Sequence, residues 1–536
     1  MERRCATFLS LLLLLCFGAG AAYAQRTCSP LVPVNASAPP ANLTTPCCDL
    51  QTALFAVADP HTAPLSEAPL SQMVYWWGVL VMHDLGLIPE ADADWLQPPA
   101  TPCDVAAAAV PANFSQCPGP PPGTANGATP ELDASFLYGS SSATTSILRQ
   151  HYHGYLEIQP SGELTRTCPG VERYAGPGQS PSQMPCAGDP RAASELQLLA
   201  LQTLFVQFHN RLCDRIRGWE ERLHDDDIFN RVRAIVTGIV QRITLEEWLP
   251  VMLGSAAATA VPPYRPPPRG APRPYVLLEF AAALPPLLAS MQSPRVLYSD
   301  QNQELSEIPL AAGFYAPSQL HRVLGNEGAC TVVTGLLRDP LRRLGPTLPQ
   351  PLMDASLPAR TCTLAAALNL SSFRQLQGAL RVGGGGGGGA GAGVGVYEGL
   401  AGEAHGPGDA DILGPTARAL LILQLVNVTR GLAREGQWYE SRHYGSLGKR
   451  QMDVVRRTRL ADLLTESCAF LDSMSMPSEG SAFALWSVSD VKIIEQTNSN
   501  LNSANLGVTW FIAALIAVIA IILVAFVIYG LVRYRG

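Results

Sequence analysis

A mainly α-helical fold followed by one C-terminal transmembrane helix is predicted by three stretches of this 536-residue chain. Leu198, Leu201, Leu204, Phe205, Phe208 and Leu212 recur at the 3.6-residue period of an amphipathic helix over Leu196–Trp219. Tyr75–Glu90, YWWGVLVMHDLGLIPE, has the composition of an apolar helix. Leu506–Val532 is a nearly unbroken apolar run, with Trp510 and Tyr529 toward its ends. That length crosses about 30 Å of hydrocarbon as a helix.

The two ends set the compartment. Residues 1–24 carry Glu2-Arg3-Arg4, an apolar run and Ala22-Tyr23-Ala24, the pattern of a secretory leader cleaved near Gln25. Arg533 and Arg535 follow the apolar run, which predicts a type I orientation at the cell surface with residues 533–536 inside. Loss of the last segment to a lipid anchor is the other reading, because Ser499–Ala504 is small and polar. Of thirteen cysteines, Cys5 and Cys16 fall in the leader, so the exported chain keeps an odd number in an oxidising compartment. Sequons at Asn35, Asn42, Asn113, Asn369 and Asn427 agree with an extracellular surface. The net charge of −7 gives nucleic acid no electrostatic footing. Neither C-x-x-C nor H-E-x-x-H occurs, so zinc and dithiol chemistry lack support.

Between these ends, residues 25–69 are rich in Pro, Ala and Thr and predict an irregular lead-in. Helices are predicted over Tyr75–Glu90, Leu196–Trp219, Phe229–Leu253 and Ala417–Arg430. In Thr129-Pro-Glu131-Leu-Asp133-Ala-Ser135, oxygen-bearing positions recur at every second residue, so an extended loop turns Thr129, the carbonyl of Glu131, Asp133 and Ser135 toward one point. Such a set suits calcium, which takes six to eight oxygens. A D-A-S turn capping a helix that starts near Ala143 is the alternative. The run 383–395 satisfies G-x-G-x-x-G trivially, without the Lys-Ser/Thr or βαβ setting of a phosphate cradle, and reads as a linker. Residues 476–505 read as a stem.

Several segments, in order, resemble the animal-type haem peroxidases. Trp77-Gly78 with His83-Asp84-Leu85 is similar to the family's W-G-Q-h-h-D-H-D-h helix, where h is apolar; Val79 stands for the glutamine and Met82 for the aspartate that forms an ester to haem. Thr129–Ser140 resembles the family's calcium loop, and the resemblance adds Asp84 as the remaining strong ligand. Cys186-Ala-Gly-Asp189-Pro-Arg191 matches the setting of the distal arginine; Ser194 replaces a second ester-forming glutamate and Glu195 follows one place late. His209-Asn210-Arg211-Leu212, Glu247-Trp248-Leu249-Pro250 and Arg434–Glu440 continue the match, as does Cys468 at the place of the final domain cysteine. The resemblance also places Cys103 and Cys117 around a small disulfide loop and brings Cys168 and Cys186 into the disulfide set.

The resemblance spans roughly 70–475 and implies a mainly helical domain with little sheet. It also implies a loss. The proximal helix F-x-x-A-F-R-x-G-H-T corresponds to Phe280–Leu288, where a leucine replaces the iron's histidine and Pro285-Pro286 would disrupt a helix. His83 and Arg191 remain, as relics of catalysis or as packed and paired side chains. The expectation is a membrane-anchored pseudo-peroxidase with calcium but without haem, acting by binding a membrane or extracellular protein. An active peroxidase with atypical iron ligation and a calcium-dependent adhesion protein are the alternatives.

Overall fold

The computed structural model describes residues 29–32, 64–86, 125–165, 185–254, 274–345 and 373–486, the last four ranges with short internal breaks. The chain divides into two units, 1–486 and 487–536. The leader, the run 383–395 and the predicted span at 506–532 lie outside the described residues, and among those described no helix is long and apolar enough to cross a membrane.

Helix α1 (Met73–Leu85) occupies the middle of the core, with every residue but Val79 buried. An apolar helix buried all round must place its few polar groups on partners, and it does. Trp248 Nε1 donates to the Val74 carbonyl at 2.9 Å, and Trp77 Nε1 to Thr244 Oγ1 at 3.2 Å. Gln72, just ahead of the helix, donates to the carbonyls of Met291 and Pro340. A single turn, α2 (Ser135–Tyr138), and α3 (Ser142–Ile147) follow. The predicted amphipathic helix is α4 (Leu196–Trp219), with its leucine and phenylalanine stripe at or near zero exposure. Helix α5 (Asp225–Arg242) opens on three aspartates, which suit the positive end of its dipole. It passes through a π-helical turn, Ile243–Trp248, into α6 (Leu249–Leu253), where sequence alone gives one continuous helix.

Sheet is sparse, as expected. Strand β1 (Ser29–Val32) pairs antiparallel with β2 (Ala125–Asn126) and parallel with β3 (Val276–Leu277). Residues 25–69 are therefore not wholly irregular: short β1 is held by partners distant in sequence that its own composition does not reveal. Helix α7 (Leu278–Ala289) leads to the hairpin β4 (Arg295–Ser299) and β5 (Leu305–Pro309). Helix α8 (Gly328–Arg338) crosses β4 so closely that a Cβ on Gly335 would sit 1.8 Å from the Leu297 carbonyl oxygen, so only glycine fits there. Helix α9 is Pro415–Arg434.

Two further expectations are corrected. Helix α7 continues through Pro285 and Pro286 to Ala289. The prolines remove two donors, but burial of Phe280, Leu284, Leu287 and Leu288 holds the segment in the helical conformation. The domain also does not end at 475. Ser71 N–H donates to the Phe483 carbonyl and Trp486 N–H to that of Leu337, with Phe483 and Trp486 fully buried, so residues 481–486 belong to the core and not to a stem. A disulfide joins Cys330 on α8 to Cys468 across 138 residues. Cys213 is free and buried.

Candidate functional site

The C-terminal end of α1 carries His83 and Asp84 side by side, and consecutive helical residues point about 100° apart, so each serves a different neighbourhood. Asp84 turns toward the loop before α2. Its Oδ2 accepts Ala134 N–H at 3.1 Å, while Oδ1 accepts Ser135 Oγ at 2.9 Å and Phe136 N–H at 3.1 Å. Asp133 Oδ1 accepts Thr129 Oγ1 at 2.9 Å and Ser135 N–H at 3.0 Å. Ala134, between them, has φ +60°, the left-handed region that a side chain makes unfavourable by about 1–2 kcal/mol. Asp84 holds it there.

The loop thus brings together Asp84, Thr129, Asp133 and Ser135, four of the five residues singled out from sequence. The fifth, Glu131, makes an interaction of its own. Burial pushes the Asp84 carboxyl well above the usual range, and the neighbouring Asp133 adds to that. Burial also raises Asp133, against the opposing pull of Arg233 and its own hydrogen bonds. Two buried carboxyls, both raised by burial and one raised further by the other, form beside two hydroxyls a donor set that a hard cation would relieve and that fits calcium by ligand chemistry. Among the described residues no group of three or more acidic, His or Cys side chains is placed to hold a metal ion, so carbonyl, hydroxyl and water oxygens would complete the shell. The turn reading holds in part: the Asp133 turn starts α2, while α3 is capped by Ser141.

His83 turns the other way, toward Asp189 and Arg191. Its Nδ1 lies 3.8 Å from Asp189 Oδ2, beyond hydrogen-bond range but close enough for strong electrostatic coupling. Arg191 is only 1 % exposed. Its Nε donates to Asp189 Oδ1 and Oδ2 at 2.9 and 3.0 Å, and its Nη2 to the carbonyls of His83 and Gly86 at 3.1 and 3.0 Å. Those carbonyls belong to the last turn of α1, so the guanidinium completes the helix end as well as pairing with Asp189. Burial acts to raise the Asp189 carboxyl, but Arg191 and His83 override it and hold the group below its usual range. Arg191 is thus neither a surface-paired arginine nor a freely projecting one.

The Asp84 loop and the Asp189–Arg191 pair share a residue. Phe136 donates its N–H to Asp84, and its carbonyl accepts Asp189 N–H at 2.8 Å and Gln202 Nε2 at 2.8 Å. Gly188 makes this possible, since a Cβ there would lie 2.3 Å from the Leu137 carbonyl carbon.

A cavity of about 50 Å³ lies beyond His83 and Arg191, with Tyr75, Met82 and Glu195 on the same side and Phe280, Ala281, Pro285 and Leu288 of α7 opposite. Helix α7 supplies no nitrogen or sulfur donor to this space. Elsewhere α7 rests directly on α1: a Cβ on Gly78 would meet Leu288 Cδ1 at 3.4 Å and Trp248 at 3.2 Å. Pockets for drug-sized ligands are about 300–1,000 Å³. In donors and in room, the residues as placed do not fit a haem between α1 and α7.

The sequence and the fold have counterparts among known proteins. The sequence model of the animal haem peroxidase family matches residues 48–372, more than half of the chain. The chain belongs to the animal haem peroxidase family. Peroxidase skpo-1 of Caenorhabditis elegans is 31% identical over 221 residues, 40% of this chain and 30% of that protein. Pig (Sus scrofa) thyroid peroxidase is 30% identical over 274 residues, 47% of this chain and 28% of that protein. Dual oxidase of Drosophila melanogaster is 31% identical over 164 residues, 29% of this chain and 10% of that protein. The matched parts thus span under a third of these relatives. Among solved structures, peroxidase A from Dictyostelium discoideum superposes with a TM-score of 0.69 at 17% identity, covering 88% of this chain and 98% of that one. Rice (Oryza sativa) fatty acid alpha-dioxygenase superposes at 0.62 and 16% identity, covering 86% and 83%. At those identities the likeness is one of fold.

Of the remaining residues singled out from sequence, Cys103, Cys117, Cys168, Asn35, Asn42, Asn113 and Asn369 lie outside the described residues. Cys186 is disulfide-bonded. The Asn427 side-chain amide, on α9, donates to the Tyr275 carbonyl. Sequence reading missed the Cys330 partner of Cys468 and the part played by Asp189, which both Arg191 and His83 address; the glycine ahead of it, needed for the close approach, was the available signal. It also passed over Glu195 as a displaced ester residue, although its carboxyl reaches the cavity.

Proposed function

We propose that this chain is a membrane-anchored, calcium-stabilised pseudo-peroxidase of the cell surface that works by binding, as a scaffold or accessory subunit for another membrane or extracellular protein. The observation that carries this is the direct seating of α7 on α1, with Leu288 against Gly78 where the resemblance calls for an iron ligand. A leucine cannot coordinate iron, and haem held by apolar burial alone would lack the axial ligand that tunes its chemistry. Calcium fits the Asp84, Asp133, Thr129 and Ser135 set. There it would join α1 to a loop some fifty residues later, a structural task that needs no haem. Anchoring rests on the leader at 1–24 and the apolar run 506–532.

The test uses the purified full chain, supplied with haem during expression. Expected are no Soret band, a melting temperature that rises with calcium and falls with chelator, and capture of a specific membrane or matrix protein from cells displaying the chain. A Soret band with peroxide turnover that disappears in His83→Ala would overturn the pseudo-enzyme reading and favour an active peroxidase. No response of the melting temperature to chelation would overturn the calcium assignment.

A further inference from the structure

Among the described residues that line the cavity, Glu195 is the one acid, and the distal network does not use it. It immediately precedes α4, yet its side chain does not cap that helix. It is 7 % exposed, its buried Oε2 has no hydrogen-bond partner among the described residues, and the residue lines the cavity. The nearby cation, Arg191, is committed to Asp189. A carboxylate buried without a paired cation is strongly disfavoured, so the group exists as the neutral acid, with an O–H that needs an acceptor. Burial alone raises its pKa to about 8, in keeping with this. Facing it across the cavity, α1 contributes His83 and Tyr75 as titratable groups, Arg191 stands alongside, and α7 and β3 contribute apolar side chains only.

We propose that this cavity binds a small uncharged oxygen-bearing molecule, a ketone, amide or short alcohol, whose oxygen accepts from Glu195 while its carbons lie against Phe280, Ala281 and Leu288. The size follows from the space: about 50 Å³ holds roughly three to five non-hydrogen atoms if one water needs about 10–15 Å³. So few atoms give a dissociation constant on the order of millimolar. The apolar wall of α7 disfavours a cation, which would bring its own desolvation cost and require Glu195 to give up its proton. The inference rests on the reading that no haem fills this space.

Acetone, with one acceptor and four heavy atoms, is the probe, followed by ligand-observed saturation-transfer NMR on the full chain at pH 6.5, with methylammonium as the charged comparator. Binding of acetone and not of methylammonium is expected. Glu195→Gln keeps a donor and should change the acetone dissociation constant less than threefold, whereas Glu195→Leu should weaken it at least tenfold. Ala281→Leu, which fills the space without touching the acid, should abolish the signal and decides the matter if Glu195→Leu does not fold. Acetone binding that survives both Glu195→Leu and Ala281→Leu, no acetone signal in the folded wild type, or preference for methylammonium would each overturn the proposal. A Soret band would instead sink the haem-free reading beneath it, so the two failures are distinguishable.

Discussion

On one side of the cavity, the last turn of α1 is wired into a polar network that runs from Asp84 through the Phe136 peptide to Asp189, Arg191 and His83. On the other side, α7 offers Phe280, Ala281, Pro285 and Leu288, and its contact with α1 is apolar. The difference explains what substitution could remove. His83 and Arg191 stand where the family's catalytic pair would stand, but Arg191 also completes a helix end and neutralises a buried aspartate, so losing it would strand several polar groups. An iron ligand on α7 would have had no such second task, and replacing it by leucine lets the two helices close on each other.

The strongest way to break this comparison is at its polar end. Asp84→Ala removes the acceptor for three donors buried around α2, each costing about 1–3 kcal/mol when stranded, so a loss of about 3–5 kcal/mol in denaturant unfolding is expected. The calcium-dependent rise in melting temperature should vanish with it. A loss under about 1 kcal/mol would mean that the network is incidental.

Next in size is the pH response of Glu195. A carboxyl whose folded-state pKa is raised to about 8 binds its proton more tightly folded than unfolded. Its contribution is therefore fully present below the unfolded value near 4.3 and is lost as pH rises through about 8, up to about 5 kcal/mol at roughly 1.4 kcal/mol per pH unit. Glu195→Gln should match the wild type near pH 4 and become the more stable protein by pH 8.5 in paired urea titrations. Parallel pH profiles would show the acid to be solvated.

On the apolar side, restoring the family residue should not restore the cofactor. Leu288, 1 % exposed, packs against α1, so Leu288→His is expected to destabilise by about 2–3 kcal/mol without producing a Soret band when haem is supplied. Haem uptake by that variant would show that α7 and α1 part easily. The smallest effect belongs to Gly78→Ala. Its methyl would lie 3.2 Å from Trp248 and 3.4 Å from Leu288, so crowding should outweigh the gain in helix propensity and leave a net loss of about 1 kcal/mol, read as a shift in melting temperature.

Much of this was legible from residues alone, because periodicity and local oxygen spacing are local properties. The α4 stripe, the apolar character of α1, the loop from Thr129 to Ser135 and the leucine on α7 could be read in the chain before any coordinates. Partners distant in sequence could not. The pairing of β1 with β3, the burial of Phe483 and Trp486, the bridge from Cys330 to Cys468 and the helical path through Pro285 and Pro286 depend on neighbours hundreds of residues away or on packing that overrides local preference.

Sequence by itself therefore determined the family and which donor atoms the chain owns, since those are matters of residue identity and order. Tertiary structure decided what the donors do. It spent Arg191 on a helix end and on Asp189, placed Asp133 close enough to raise the proton affinity of Asp84, and left Glu195 lining a cavity whose described cation is already paired. The physical reason is that the energy of a buried charge is set by what lies within a few ångströms of it, and that neighbourhood exists only once distant segments have packed.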